Sequence, residues 1–244
     1  FAFFLYAGWW FVYTSNTSIF IWIPFVLAGF YFVCQYASLW LLYLRAKSTI
    51  ATETNDPLEV DVFIPVFDEP MAMVRETLLA AKTITYPHRT VLLDDSQNES
   101  YKTLADELSI DYLSRKGNAG RKAGNINQAL KQSSAEFVAI FDVDHAPSKD
   151  FLSFALSPFK DPEIGFVQVR LAHKNREESF IAAAAAQRND GFFDAPMLGL
   201  GATGSAHAFG SNCVFRRAAL DAIGGYQTGL AEDWATSIDL HSQG

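Results

Sequence analysis

Two things are scarce in this sequence: cysteine throughout, and charge over the first 44 residues. Cys34 and Cys213, the only two cysteines in 244 residues, offer no disulfide framework and no metal-ligand spacing, so they read as packing residues. No basic stripe or nucleic-acid motif is present. The formal net charge of −8 also has the wrong sign for a phosphate backbone, which argues against nucleic acid as a partner. The glycine-rich P-loop and dinucleotide fingerprints are missing too, which weakens the ATPase and dehydrogenase readings. A basic n-region and a small-residue cleavage site, the marks of a cleaved signal peptide, are not visible either.

What fills the uncharged stretch from Phe1 to Leu44 is Phe, Trp, Tyr, Leu, Ile and Val, and Arg45 and Lys47 end it. Residues 19–44 would make a helix about 39 Å long at ~1.5 Å per residue, enough to cross a bilayer with some tilt. Gln35 is its one strongly polar side chain. Residues 1–13 are apolar but too short to span. Without an initiating Met they read as the end of a longer helix, with "TSNTS" (14–18) as the turn between two spans. The transmembrane region is therefore expected over residues 1–48. Arg45 and Lys47 point the second span's end into the cytoplasm. A buried hairpin of a soluble protein is the alternative.

A linker is expected over residues 49–57, and an α/β domain over 58–244. Strand-like runs at 60–66, 90–96, 110–115 and 136–142 alternate with helical runs at 71–84, 99–109 and 122–133. That alternation predicts a parallel sheet with helices on both faces. Ligands bind such sheets beyond the carboxyl ends of the strands. Three of those ends carry acids: Asp68 with Glu69, Asp94 with Asp95, and Asp142 with Asp144.

Asp142 and Asp144 flank one residue, so in an extended strand their carboxylates share a face. Oxygen ligands of this kind suit Mg²⁺ or Mn²⁺ bridging to substrate phosphates, and His145 can add a ligand or a hydrogen bond. A solvated strand exit leaves the same pattern. Adjacent residues diverge in a strand, so one of Asp94 and Asp95 is expected in the cleft and the other capping a turn. "GNAGRKAGNIN" (117–127) is a glycine-bearing loop running into a helix, where backbone donors and Lys122 can hold a diphosphate. A solvated lysine at a helix start explains Lys122 as well. Glu232 and Asp233 open a helical run, where the helix dipole favours acids anyway. If one of them meets the cleft, it is a general base.

Taken in order, "DVFIPVFDEP", "LLDDS", "RKAGNINQAL", "FDVDHAPSKDFL", "FGSNCVFRRAALDAIGG" and "AEDWATSIDLHSQG" resemble the catalytic subunits of bacterial cellulose synthases and related processive glycosyltransferases of family two. The resemblance implies a GT-A (Rossmann-like) nucleotide-sugar-binding domain preceded by transmembrane helices. The domain would lie on the cytoplasmic face of a bacterial inner membrane. The implied reaction is transfer of glucose from a UDP-sugar to the end of a growing β-glucan. Its implied partners are a polysaccharide acceptor, the lipid bilayer and accessory synthase subunits. The resemblance gives Asp94 or Asp95 the uridine side, Lys122 the diphosphate, and Asp142 with Asp144 the nucleotide and a divalent Mg²⁺ or Mn²⁺. It makes Asp233 the base, with Glu232 beside it in the same motif. It sets Phe209, Gly210 and Ser211 near the terminal acceptor sugar, and carries over Gln168 and His173 from "VQVRLAH". Phe209 stands where the family has Cys, Ala231 where it has Thr, Ser96 for Gly and Gly120 for His. The first two put the acceptor in doubt. The family's Gln-x-x-Arg-Trp segment and channel helices are expected after Gly244, so these residues should carry most of the donor site and the base. Two rivals stay open: a transferase adding a single sugar to a lipid carrier, and a UDP-sugar-binding module without catalysis.

Overall fold

The computed structural model describes residues 2–14, 18–47 and 52–243. Residues 15–17 of the turn expected at 14–18, residue 48 at the end of the expected transmembrane region and residues 49–51 of the expected linker lie outside the described residues. The chain opens with α1 (Ala2–Thr14) and α2 (Ile19–Arg45). The α2 helix is long and apolar enough to cross a membrane and buries none of its residues. Phe20 is 87 % exposed and Leu44 78 % exposed. None of the described α2 residues is buried, unlike those of a core hairpin in a soluble domain.

The domain follows as β1 (Val60–Val66), α3 (Met71–Lys82), β2 (Arg89–Asp94), α4 (Glu99–Leu108), β3 (Asp111–Ser114), α5 (Arg121–Gln132), β4 (Phe137–Ile140), α6 (Phe151–Ala155), β5 (Phe166–Gln168), α7 (Phe180–Phe193), α8 (Ala195–Ala202), β6 (Cys213–Arg216), α9 (Arg217–Ala222) and α10 (Glu232–Gln243). The β1 strand is central and apolar on both faces, as a strand covered by helices on each side must be. Val62 and Ile64 face one core with Val74, Leu78, Leu104 and Leu152. Phe63 faces the other, with Leu93, Ile126, Leu130 and Phe215. The apolar residues of α5, Ala123, Ile126, Ala129 and Leu130, recur at helical spacing and seal that second face. Asn98 caps α4 by accepting from Ser100 N at 2.9 Å.

The six strands run in the order β3-β2-β1-β4-β6-β5. Contacts among β3, β2, β1 and β4 are parallel, as expected, whereas β6 is antiparallel to β4 and β5 antiparallel to β6. The expected all-parallel sheet is therefore corrected to a mixed one. The two added strands are three and four residues long, too short to show a period.

Two features tie α2 to the domain. In α8, Gly199 lies so close to the Leu42 backbone that a Cβ would collide with the Leu42 carbonyl oxygen. Part of the expected linker is also docked on the domain. Thr54 is buried and its N–H donates to Ser153 O at 2.9 Å, while Leu58 N donates to the Tyr86 hydroxyl at 3.0 Å.

Candidate active site

The parallel strands end together, and their ends enclose a cavity of about 590 Å³ lined by Asp95, Lys122, Asp142 and Asp144, with Phe67, Glu69, Asn118, Arg121 and Asn125. Ladder pairing stops at Ile140, so Asp142 and Asp144 lie in a turn beyond β4 rather than within it. The pleat nevertheless continues: Phe141 and Val143 are buried while the two carboxylates face the other way. His145 N donates to Asp142 O at 2.9 Å, which curls the turn back. As a result Asp142, Asp144 and His145 each present a ligand atom within 4.8 Å of the others. Two carboxylates and an imidazole fit Mg²⁺ or, with its greater tolerance for nitrogen, Mn²⁺.

Ser211, expected against the acceptor, sits instead beneath this cluster. Its hydroxyl accepts from Asp142 N at 2.8 Å and meets His145 Nδ1 at 2.6 Å, so His145 is left with Nε2 toward the Asp144 side. Ser211 thus fixes the Asp142 backbone and the His145 ring by hydrogen bonds.

The acids of β2 have separated. Asp94 is fully buried and accepts from Ser96 N and Oγ at 2.6 Å, Asn98 N at 2.7 Å and Tyr112 Oη at 2.6 Å. Those four bonds shape the turn under the cavity, the capping role expected for one acid of this pair. Burial, with Asp94 beside it, pushes the Tyr112 phenol up to about 12 and keeps it a donor. Asp95 lines the cavity and receives a two-pronged contact from Arg115, with Nη2 to Oδ2 at 2.7 Å. That bond to the carboxylate raises the Arg115 pKa. The sequence reading missed Arg115, although it follows β3 directly, at the same sheet end that marks the acids.

Lys122 stands in the first turn of α5, behind Gly120 in a left-handed conformation (φ 73°). Its ammonium donates to Asp142 and to the Gly210 carbonyl, the latter at 2.6 Å. Gly210 itself has φ 71°, and a Cβ there would sit 3.3 Å from Lys122 Nζ and 3.8 Å from Asp233 Oδ2. The loop therefore passes between the lysine and the carboxylate at the one position where glycine fits. Asp233 occupies the first turn of α10 with Glu232, and its Oδ1 accepts from Trp234 N at 2.8 Å. Asn127 exchanges two bonds with the Tyr226 backbone in the loop before α10, and within α10 the Ser237 hydroxyl accepts from Ala208 N at 2.9 Å.

The Gln168 amide nitrogen donates to the carbonyls of Val169, Ser211 and Asn212, and its oxygen accepts from Phe209 N at 2.8 Å and Cys213 Sγ at 2.6 Å, so its side chain fixes the 209–213 loop. His173 lies beyond β5, away from the cavity lining, with Nδ1 buried and unbonded. Complete burial pushes the Cys213 thiol up to about 12, which keeps it inert. Phe209 packs edge-on against Phe192 at 5.3 Å and against Phe193 at 5.5 Å.

Comparison with known proteins agrees with this geometry. The chain is 36 % identical over 194 residues to a UDP-forming cellulose synthase catalytic subunit of Xanthomonas axonopodis pv. citri, covering 76 % of this chain and 27 % of that protein. It is 31 % identical over 209 residues to the corresponding subunit of Pseudomonas fluorescens, covering 82 % and 28 %. The chain thus spans roughly a quarter of the length of these relatives. Among solved structures it is similar to a Pyrobaculum calidifontis mannosyltransferase in complex with GDP-Man and Mn²⁺ (TM-score 0.59, 21 % identity, covering 85 % of this chain and 60 % of that one). It is also similar to the glucosyl-3-phosphoglycerate synthase of Mycobacterium tuberculosis in complex with Mn²⁺, UDP and glucosyl-3-phosphoglycerate (TM-score 0.52, 16 % identity, covering 76 % and 66 %). The fold is GT-A, with its mixed six-stranded sheet. The sequence profile described as glycosyl transferase family 2 matches residues 61–224, more than half of the chain, and the chain belongs to that family.

Proposed function

We propose that this chain is the donor-binding and catalytic part of a membrane-bound inverting glycosyltransferase. Its donor is UDP-glucose and its acceptor the end of a growing β-glucan such as cellulose, with the domain on the cytoplasmic side of the inner membrane. One observation carries the reading: Asp95, Lys122, Asp142 and Asp144 line a single cavity, and Gly210 lies against both Lys122 and Asp233, with an added Cβ 3.3 Å from Lys122 Nζ and 3.8 Å from Asp233 Oδ2. The likeness to cellulose synthase subunits supports the choice of sugar and polymer.

On this reading Asp95 takes the uridine side, and Lys122 turns from Asp142 to the diphosphate. Asp142, Asp144 and His145 would hold Mg²⁺ or Mn²⁺, which when bound neutralises diphosphate charge. The acceptor hydroxyl oxygen attacks the anomeric carbon from the face opposite the diphosphate. Asp233 accepts the hydroxyl proton as the new C–O bond forms. The bond from the anomeric carbon to the diphosphate breaks, and its electron pair leaves with UDP, to which Lys122 donates a hydrogen bond. The anomeric configuration inverts.

Calorimetry with UDP tests the donor site. Wild-type protein should bind UDP only when Mg²⁺ or Mn²⁺ is present, and Asp142→Asn with Asp144→Asn should abolish binding. Undiminished metal-dependent binding in the double variant would remove the metal from this site.

A further inference from the structure

We propose that Ser211 is a positioning residue of the candidate metal site: it holds the proton of His145 on Nδ1, so that Nε2 is left as a nitrogen ligand. A site ordered in this way takes Mn²⁺ in preference to Mg²⁺. The proposal rests on the metal-dependent reading above and adds the residue that orders the ligands.

A serine hydroxyl has one hydrogen to give and two lone pairs to receive with. The Asp142 backbone N–H can only donate, and at 2.8 Å it takes one lone pair of Ser211 Oγ. Asn212 Oδ1, 3.4 Å away, can only accept, so the hydroxyl hydrogen goes there. What faces His145 Nδ1 at 2.6 Å is the second lone pair, and that contact is a hydrogen bond only if Nδ1 carries the proton. A neutral imidazole holds one ring N–H, so Nε2 is then bare. Nε2 lies 3.7 Å from Asp144 Oδ1, beyond hydrogen-bond reach, and Asp142, Asp144 and His145 each bring a ligand atom within 4.8 Å of the others. A bare nitrogen and carboxylate oxygens repel one another, and a divalent cation joined to all three reverses that.

The hydroxyl is delivered by a stiff frame. Ser211 is 4 % exposed. Gln168 Nε2 donates to its carbonyl at 3.0 Å and to the Asn212 carbonyl at 3.3 Å, and Val169 N donates to the Asn212 carbonyl at 2.9 Å. Asn212 takes a left-handed conformation (φ 53°), which asparagine tolerates better than most residues. The end of β5 and the start of β6 therefore fix where Ser211 Oγ sits. Metal-binding histidines are ordinarily oriented by a partner on the far ring nitrogen, and losing that partner costs about 10–100-fold in metal affinity. Mg²⁺ demands oxygen, whereas Mn²⁺ accepts imidazole more readily, so a bare Nε2 favours Mn²⁺.

Two measurements on the detergent-solubilised chain test this, both without nucleotide. The chain has five histidines, and the signal missing from His145→Gln identifies His145. In metal-free protein with isotope-labelled histidine, NMR of the ring nitrogens should show wild-type His145 protonated on Nδ1. Ser211→Ala should release that bias. Mn²⁺ titration followed by electron paramagnetic resonance should give binding about 10–100-fold weaker in Ser211→Ala. Ser211→Thr keeps the hydroxyl and should bind Mn²⁺ as wild type does. Mg²⁺, read by competition against Mn²⁺, should lose less, so the preference for Mn²⁺ narrows. Protonation of wild-type His145 on Nε2 would overturn the proposal. So would equal losses of Mn²⁺ and Mg²⁺ in Ser211→Ala, because the hydroxyl would then act through the Asp142 backbone alone. A wild type that binds neither ion would overturn it too. Failure to bind UDP strikes the donor reading instead, and the metal titration still judges Ser211.

Discussion

Lys122 serves two acceptors, Asp142 and the Gly210 carbonyl, and so joins the turn beyond β4 to the loop that passes beside Asp233. Sequence alone located Asp142 and Asp144, because their spacing survives as an alternation of buried and open positions. It did not separate roles within the neighbourhood. Asp94 and Gln168 look like ligand residues by motif, and both also hold protein hydrogen bonds. No spacing rule reveals that, because their partners are backbone groups brought in by the fold. Asp233 and Glu232 pose the same problem one residue apart. In the proposed mechanism Asp233→Asn keeps the shape and removes the proton acceptor, so transfer from UDP-glucose should fall by about 10²–10⁴ while UDP affinity holds. Glu232→Gln should retain most turnover. The opposite ranking in a transfer assay on the full-length protein would identify Glu232 as the base, and retained turnover in both would place the base elsewhere.

At the scale of elements, the helices α3, α4 and α5 and the strands β1 to β4 were legible because strand-like and helix-like apolar runs alternate along residues 60–142. Their ends differ by at most two residues, as at β4, where pairing ceases before the acids. The strands β5 and β6 were not legible: each is defined by partners far along the chain, and only the antiparallel ladder shows them. Nor did the sequence separate α8 from a loop, although this helix seats the domain on α2. Its glycines make that seat testable. Gly199 touches the Leu42 backbone, whereas Gly201 has nothing within 4 Å of an added Cβ. Gly199→Ala must push the helices apart, an overpacking cost of about 1–3 kcal/mol, and should lower the Tm by several degrees, ~2–4 °C per kcal/mol for a domain of this size. Gly201→Ala meets no obstacle and gains helix propensity of up to ~1 kcal/mol, so its Tm should stay level or rise. Thermal unfolding in detergent micelles reads both. A rise in both would mean that α8 does not bear on α2.

At the scale of the whole molecule, the exposed α2 helix and the docked domain make opposite demands on solvent. The helix displays Phe20, Trp40 and Leu44 outward along its length, a surface that water does not tolerate and a bilayer does. The domain carries nearly all of the charge, and its cavity asks for a nucleotide-sugar. Both demands are met if α2 spans the membrane with the domain on the cytoplasmic side. Charge placement favours that direction. Arg45 and Lys47 follow the apolar run immediately. Basic residues flanking a span are retained on the cytoplasmic side, and residues within about 15–20 positions of its end carry most of the bias. A reporter fused after Lys47 should therefore score as cytoplasmic, by alkaline phosphatase staying inactive and a fluorescent protein maturing. Replacing Arg45 and Lys47 with Gln should raise the fraction of molecules in the reverse orientation. Alkaline phosphatase activity from the unaltered fusion would put the domain outside the cell, away from the nucleotide-sugar pool, and the proposed reaction would fail with it.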